Sequence, residues 1–267
     1  MAEIPEPAGH SQSLERGLAI LSSFSENEPL RGGAELARAV GLNRSTTHRY
    51  LTTLAKLGYL QQDSTSRKYR LGPRMVDLGF TAINSMEISR VAAPYLQALS
   101  DETGHTTNMA VLDGMNIVYV QRCGTMTKGR SGVELNLHVG SRLPAYCTAM
   151  GKVLLAYQRA EALTVLLDRT DLTRRGPNTL TAREALLVAL HRVRQSGLAT
   201  NNEELVAGLR SLAAPVRDGV GEVVAAINVA VHLSVWNASM DSIVHRLAPF
   251  LLRRAGEISA RLGYRHR

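Results

Sequence analysis

From position 13 the chain alternates short apolar stripes of helical spacing with polar intervals. Leu14, Leu18 and Leu21 recur at i, i+4 and i+7, with Phe24 one turn further on. They predict an amphipathic helix starting near Ser13 that packs beneath the next pair of helices. Between Gly33 and Tyr59 the pattern predicts that pair, two shorter helices across a tight turn. In the first, Leu36, Ala37 and Val40 share a face, and Gly41 stands where a left-handed residue would end it. Leu42 is read as a buried plug and Asn43 as the N-cap of the second helix. There, Leu51, Leu54 and Leu57 are spaced for burial, while Arg44, Ser45, His48, Arg49, Thr52 and Lys56 fall on the other side.

Past Gly58, two short strands are predicted around the polar tip 63–66, the second being Arg67-Lys68-Tyr69-Arg70-Leu71. Gly72-Pro73 breaks the chain. Met75, Leu78, Gly79, Ala82, Ile83 and Met86 then form one apolar stripe of a helix assigned to 74–90. Two readings stand: a helix packed on its own domain, or a linker that also pairs with a second subunit.

From Pro94, read as the first turn of a helix closed by Gly104, helix and strand mix. Hairpins are predicted at 106–112 with 117–122, and at 210–216 with 223–232, on Asp-Gly turns. A further strand is expected at 133–138 and a loop at 140–144. Helices are expected at 148–157, 161–168, 181–195 and 240–262. An antiparallel sheet with helices packed on it, an α+β class, is the natural assembly. In the last strand Ala225, Ile227, Val229 and Val231 alternate with Ala226, Asn228, Ala230 and His232. In its partner, Leu212, Ala214 and Val216 alternate with Ser211, Ala213 and Pro215. One face is greasy core; the other, small and polar, suits a cavity lining instead of a packed helix, or else a face open to water.

Charge sharpens the first third. Residues 43–74 carry seven Lys or Arg against one acid, Asp63, while residues 1–42 carry three Arg against six Glu. Cationic charge therefore sits on the second helix and the hairpin behind it, and the polar face of that helix holds no acid. Phosphate oxygens and major-groove base edges fit such a face, so a winged helix-turn-helix that binds double-stranded DNA is the expectation. Arg44, Ser45, Thr46, Thr47, His48, Arg49, Thr52, Arg67 and Lys68 are the candidate contacts. The overall +8 charge agrees. At 267 residues and 45% hydrophobic content the chain can bury a second core. Cys123 and Cys147 lack CxxC spacing, which fits a reducing cytoplasmic setting, and neither a membrane span nor a basic-then-apolar leader is visible.

Enzymatic signals are sparse. Cys147 precedes a predicted helix start, an activating position, with His105, His138 or His232 as conceivable bases. No GxSxG, phosphate loop or paired carboxylates accompany it, and His232 has no second ligand at metal spacing, so neither a cofactor nor a metal is expected.

The ordered segments SLERGLAIL, LARAVGLNRSTTHRYLTTLAKLGYL, YRLG, LPAYCTAMGKVLLA, NNEELVAGLRSLAAPVRD and VVAAINVAVH resemble the IclR family of bacterial transcription regulators over nearly the whole chain. HVGSRLPAYCTAMGKVLLA with INVAVH looks most like its branch controlling aromatic acid catabolism. The resemblance implies a winged helix-turn-helix at 1–73, a linker and dimerisation helix at 74–90, and a GAF-like effector domain with an antiparallel sheet at 91–267. It further implies assembly as a homodimer or tetramer on promoter DNA and response to a small organic acid. Effector contacts carried over by motif are Cys147, Thr148, Ala149 and Met150, then Asn201 and Ser211, then Asn228 and Ala230. Members binding small keto acids can have an acidic residue at the place of Asn201 and hydroxyls at those of Asn228 and Ala230. An amide repels an organic anion less. For an anionic ligand, the helix start near Thr148, Arg122 and Arg142 are the candidate donors. A DNA-binding protein whose C-terminal domain only oligomerises remains the alternative.

Overall fold

The structure, a computed structural model, describes residues 11–265 except 26, 86 and 125–136, with the side chains of 80 and 82–87 also outside the description. The strand expected at 133–138 falls largely outside the described residues. The chain divides into two units, Met1–Ser85 and Met86–Arg267.

In the first unit, α1 (Gln12–Ser22) begins at Ser11, whose hydroxyl accepts the Leu14 N–H. Its buried residue is Ile20; Leu14 and Leu18, expected underneath, are exposed. The core explains this difference. Ile20, Leu36, Leu51, Leu60 and Tyr69 close a cluster that reaches only the last turn of α1, where Leu21 and Phe24 complete it. The helix α2 (Gly33–Ala39) starts with the Gly32 N–H on the Glu35 carboxylate at 2.9 Å, and Gly41 follows at φ +65°. Leu42 is half-buried, short of a full plug.

The next helix, α3 (Arg44–Lys56), is capped by Asn43 Oδ1 on the Thr46 N–H at 2.8 Å. Leu57 was expected in the buried stripe but is exposed, because the helix ends one residue earlier and the chain turns away. Strands β1 (Leu60–Gln62) and β2 (Tyr69–Leu71) pair antiparallel and form the wing, with Arg31 bridged to Tyr69 on its other side. Gly72 locks the base of the wing: its N–H donates to Tyr59 O at 2.8 Å, and a Cβ there would collide with Gly58 O. Helix α4 (Pro73–Ser85) follows, with Val76 and Leu78 exposed.

The second unit opens with α5 (Glu87–Thr103), so Pro94 lies inside a helix instead of starting one. An interior proline costs roughly 3 kcal/mol. Burial of Ala92, Leu96 and Leu99 against the sheet offsets it. Strands β3 (Thr106–Asp113) and β4 (Asn116–Cys123) form the first hairpin, and β5 (Arg142–Pro144) adds a short edge strand where a loop was expected. A 3-10 turn, Ala145–Cys147, leads into α6 (Ala149–Ala156), followed by α7 (Ala160–Asp168) and α8 (Arg183–Ser196), which Gly197 closes at φ +68°. Then come β6 (Ala199–Asn202), not anticipated, β7 (Leu209–Arg217), β8 (Val223–His232) and α9 (Met240–Arg261).

Among the described residues the sheet runs β5-β4-β3-β8-β7-β6, every neighbour antiparallel. Its two faces separate as strand parity dictates. Leu212, Ala214, Val216, Ala225, Ile227, Val229 and Val231 meet α5 and α9. Each large side chain fully buried there is worth roughly 1.5–3 kcal/mol. Ala110, Ala213 and Ala226 pack on the opposite side with α6, α7 and α8. That second face therefore does meet a helix, contrary to the cavity-only reading: alanines let α6 lie close, and the polar positions lie beside that contact.

Candidate functional site

In the first unit the exposed face of α3 presents Arg44, Ser45, His48, Arg49, Thr52 and Lys56. Two of the expected contacts are placed otherwise. Thr47 is buried and its hydroxyl donates to Asn43 O at 2.9 Å, so it belongs to the helix packing. Thr46 is half-buried and supplies the capped N–H, while the Ser45 hydroxyl donates to the same Asn43 Oδ1 at 2.9 Å. The wing tip carries Arg67, exposed and at φ +58°, and Lys68, half-buried. The one acid of this stretch, Asp63, accepts the N–H and the hydroxyl of Ser66, both at 2.7 Å; these bonds hold its carboxyl below the usual range. Glu35 is also lowered, first by the Gly32 N–H and then by the charge of Lys68. The face that remains is cationic and hydroxyl-bearing, the composition that phosphate and base-edge recognition needs.

The second unit gathers the other candidates on the α6 side of the sheet. Thr148 caps α6 by accepting the Gly151 N–H at 3.1 Å, which leaves the N–H groups of Ala149 and Met150 as the leading donors of the helix. Asn201 pairs with Ser211 across β6 and β7, Ser211 with Ala230, and Asn228 with both Ala213 and Asn108. Residues that lie far apart in sequence thus share one patch. Ser211 is 4% exposed and Asn228 6%, and the Ser211 hydroxyl and Asn228 Nδ2 bond to no described residue. Neither is among the fully water-shielded side-chain atoms that lack a partner, so both donors remain reachable by water or by an acceptor on a ligand. Asn201 is different. Its Nδ2 donates to Cys147 O at 3.2 Å and its Oδ1 accepts the Glu204 N–H at 2.9 Å, so it braces two loops.

Sequence reasoning missed two features here. Asn108, buried in β3, accepts from Arg122 Nη1 at 3.0 Å and donates to Asn228 Oδ1 at 2.8 Å; a lone amide in the run TTNMAVL was the available signal. Lys152 and Glu204 form a buried ion pair at 2.5 Å, with side chains 5% and 9% exposed. Of the suggested anion-binding arginines, Arg122 faces this patch through Asn108, whereas Arg142 pairs with Asp113 at the surface at 2.6 Å.

Cys147 is buried, its thiol directed to Pro144 O at 3.7 Å, and burial together with Glu204 pushes its pKa up to about 12. At neutral pH it is a thiol, which is the wrong state for a nucleophile. None of the suggested bases is hydrogen-bonded to it. His105 stacks on Trp236 with ring centroids 5.7 Å apart, His138 bonds Val139 O, and His232 is half-buried with its pKa lowered by burial and by Arg122. Among the described residues no cluster of His, Cys, Asp or Glu could hold a metal, and no helix is long and apolar enough to cross a membrane.

Comparison with known proteins agrees with both halves. Residues 13–64 match the IclR helix-turn-helix domain, and residues 80–260 match the family described as bacterial transcriptional regulator IclR C-terminal. The chain is 36% identical over 250 residues to the Pca regulon regulatory protein of Pseudomonas putida, covering 94% of this chain and 84% of that one. Among solved structures, a transcriptional regulator from Rhodococcus sp. RHA1 superposes with TM-score 0.80 at 36% identity, covering 95% of this chain and 98% of that one. An IclR homolog from Microbacterium hydrocarbonoxydans, complexed with 4-hydroxybenzoate, gives TM-score 0.80 at 25% identity over 94% and 99% of the two chains. A helix with an acid-free exposed face, a wing and a helix-covered antiparallel sheet, together with family matches over residues 13–64 and 80–260 and a relative 36% identical over 94% of the chain, establish that the chain belongs to the IclR family of DNA-binding bacterial transcriptional regulators.

Proposed function

We propose that the protein is a ligand-responsive regulator of a catabolic operon, sensing an aromatic or other small organic acid. In this reading residues 1–73 bind promoter DNA, 74–90 link and pair subunits, and 91–267 hold the acid without chemical turnover. The observation that carries the effector half is a pair of reachable donors on nearly buried residues, the Ser211 hydroxyl and Asn228 Nδ2, which bond to no described residue and lie beside the N-terminus of α6. A carboxylate would complete them. The relative solved with 4-hydroxybenzoate supports an aromatic acid as the class. Leu14, Leu18, Val76 and Leu78, exposed on the first unit, support pairing as a homodimer or tetramer, since an isolated winged module gains little from leaving them in water. Acid binding would shift the population between DNA-competent and DNA-incompetent forms.

Thermal melting against a panel of aromatic and keto acids tests the effector half. An acid at one hundred times its Kd should add about 2.7 kcal/mol, a rise on the order of 5–10 °C for a unit of this size. A panel without any shift would favour a C-terminal domain that only oligomerises.

The output half is tested on an operator selected from randomised duplexes. Arg44→Ala and Arg49→Ala should each weaken binding about tenfold or more, and reduce the salt slope by about one wherever a phosphate contact is lost. The acid-induced melting shift should be unchanged. Equal loss of DNA and acid binding would refute the division of labour.

A further inference from the structure

Across β4, β3 and β8 runs a hydrogen-bond chain with a direction. Arg122 donates to Asn108 Oδ1, and Asn108 Nδ2 donates to Asn228 Oδ1, between residues that are successive Cα partners in the sheet. A guanidinium has donors and no acceptor, so Asn108 can meet Arg122 only with its oxygen. That choice turns the Asn108 amide nitrogen toward Asn228, which must answer with its own oxygen. Asn228 Nδ2 is then the end of the chain, on a residue only 6% exposed, bonded to no described residue, and next to Ala213 by register with Ser211 two residues beyond. Neither orientation of Asn228 is dictated by Asn228 itself. The arginine two strands away decides it.

We propose that Arg122 and Asn108 are positioning residues that set the specificity of the acid site, by locking Asn228 with its N–H donors presented to the ligand. This inference rests on the acid-binding reading above and extends it to a chemical criterion. The site takes a group both of whose ends accept hydrogen bonds, a carboxylate, with one oxygen on Asn228 Nδ2 and the other on the leading N–H groups of α6; the isosteric carboxamide can turn its oxygen to only one of them and leaves its NH2 facing a donor. The charge of Arg122, relayed through two polarised amides, adds to the preference for an anion.

The criterion can be inverted by one oxygen-for-nitrogen exchange. In Asn108→Asp the introduced carboxylate still accepts from Arg122 but has nothing to donate to Asn228. Asn228 must then rotate, donate its Nδ2 inward and present Oδ1 to the ligand. The measurement is the melting shift and titrated Kd of 4-hydroxybenzoate, 3,4-dihydroxybenzoate and pyruvate, each beside its carboxamide, for wild type and variant. Wild type should prefer the acids, and Asn108→Asp should reverse the acid-to-amide ratio by about tenfold or more, the size expected for exchanging one good hydrogen bond for a donor–donor or acceptor–acceptor clash. Asn108→Leu, close in volume, serves if the aspartate variant does not fold. It frees Asn228 to take either orientation, so the preference should collapse toward parity.

Failure separates cleanly. If none of the acids binds wild type, the acid-binding reading falls and the relay with it. If acids bind wild type but without preference over their amides, or if the variants keep the wild-type ratio, the relay alone is overturned.

Discussion

Replacing Lys152 by methionine should destabilise the second unit by about 3–5 kcal/mol, because it leaves the Glu204 carboxylate buried without a counter-charge. Lys152 lies in an otherwise apolar helix, Ala149–Ala156, every residue of which is buried, and its ammonium meets Glu204 Oε1 at 2.5 Å. The partner oxygen, Oε2, has no hydrogen bond, so the lysine is the main compensation for that charge. A loss of this size lowers the melting temperature by more than 5 °C in a domain of this class. The double variant Lys152→Met with Glu204→Gln should recover most of it, since removing both charges also removes the desolvation both incurred. Chemical denaturation of the two single variants and the double variant gives the coupling energy directly. Near-additive losses would show that the pair is not the reason for the cost.

Gly151→Ala should be comparably harmful, by about 3 kcal/mol or more, although alanine is the better helix former by up to roughly 1 kcal/mol. The contact decides the sign. A Cβ on Gly151 would run into the carbonyl oxygen and Cα of Ala145 and lie 2.5 Å from its carbonyl carbon. These are backbone atoms of the turn that carries Cys147, so the helix and turn must separate. Because Thr148 caps that same Gly151 N–H, the donors at the helix start move too. Lower thermal stability together with a weaker acid-induced melting shift is the expected pair of readings. A Gly151→Ala protein that melts with wild type would mean the turn has slack that this packing denies.

Much of this architecture was legible in sequence wherever the signal is local. Asn43 and Gly41 announced the turn of the helix pair, the charge contrast between 1–42 and 43–74 located the cationic face, and period-two alternation sorted both faces of β7 and β8. The failures have physical causes. β5 and β6 are short edge strands of three and four residues, too brief for periodicity to register. Pro94 read as a helix start because intrinsic preference places it there, whereas packing of Leu96 and Leu99 overrode that preference. Leu14, Leu18 and Leu57 had helical spacing but no core to face, and spacing alone cannot report where a core ends.

In the candidate site, the motif positions of β6, β7 and β8 were visible, but their partners were not. Asn108 and Asn228 are 120 positions apart, and only strand register brings them together. Lys152 did leave a trace: a charge inside TAMGKVLLA demands a buried acid, and a search of the following loops for one would have reached Glu204.

The brace made by Asn201 has a mechanical consequence. Cys147 O, Asn201, the Glu204 N–H and the Glu204–Lys152 pair tie the turn, the edge strand and the helix into a closed ring of bonds. In such a network each bond strengthens its neighbours, so losing one link weakens the rest. A molecule seated against the turn therefore cannot be answered by a local loop flick. In the proposed reading it meets the turn, the edge strand and the helix as one bonded unit instead of a free loop.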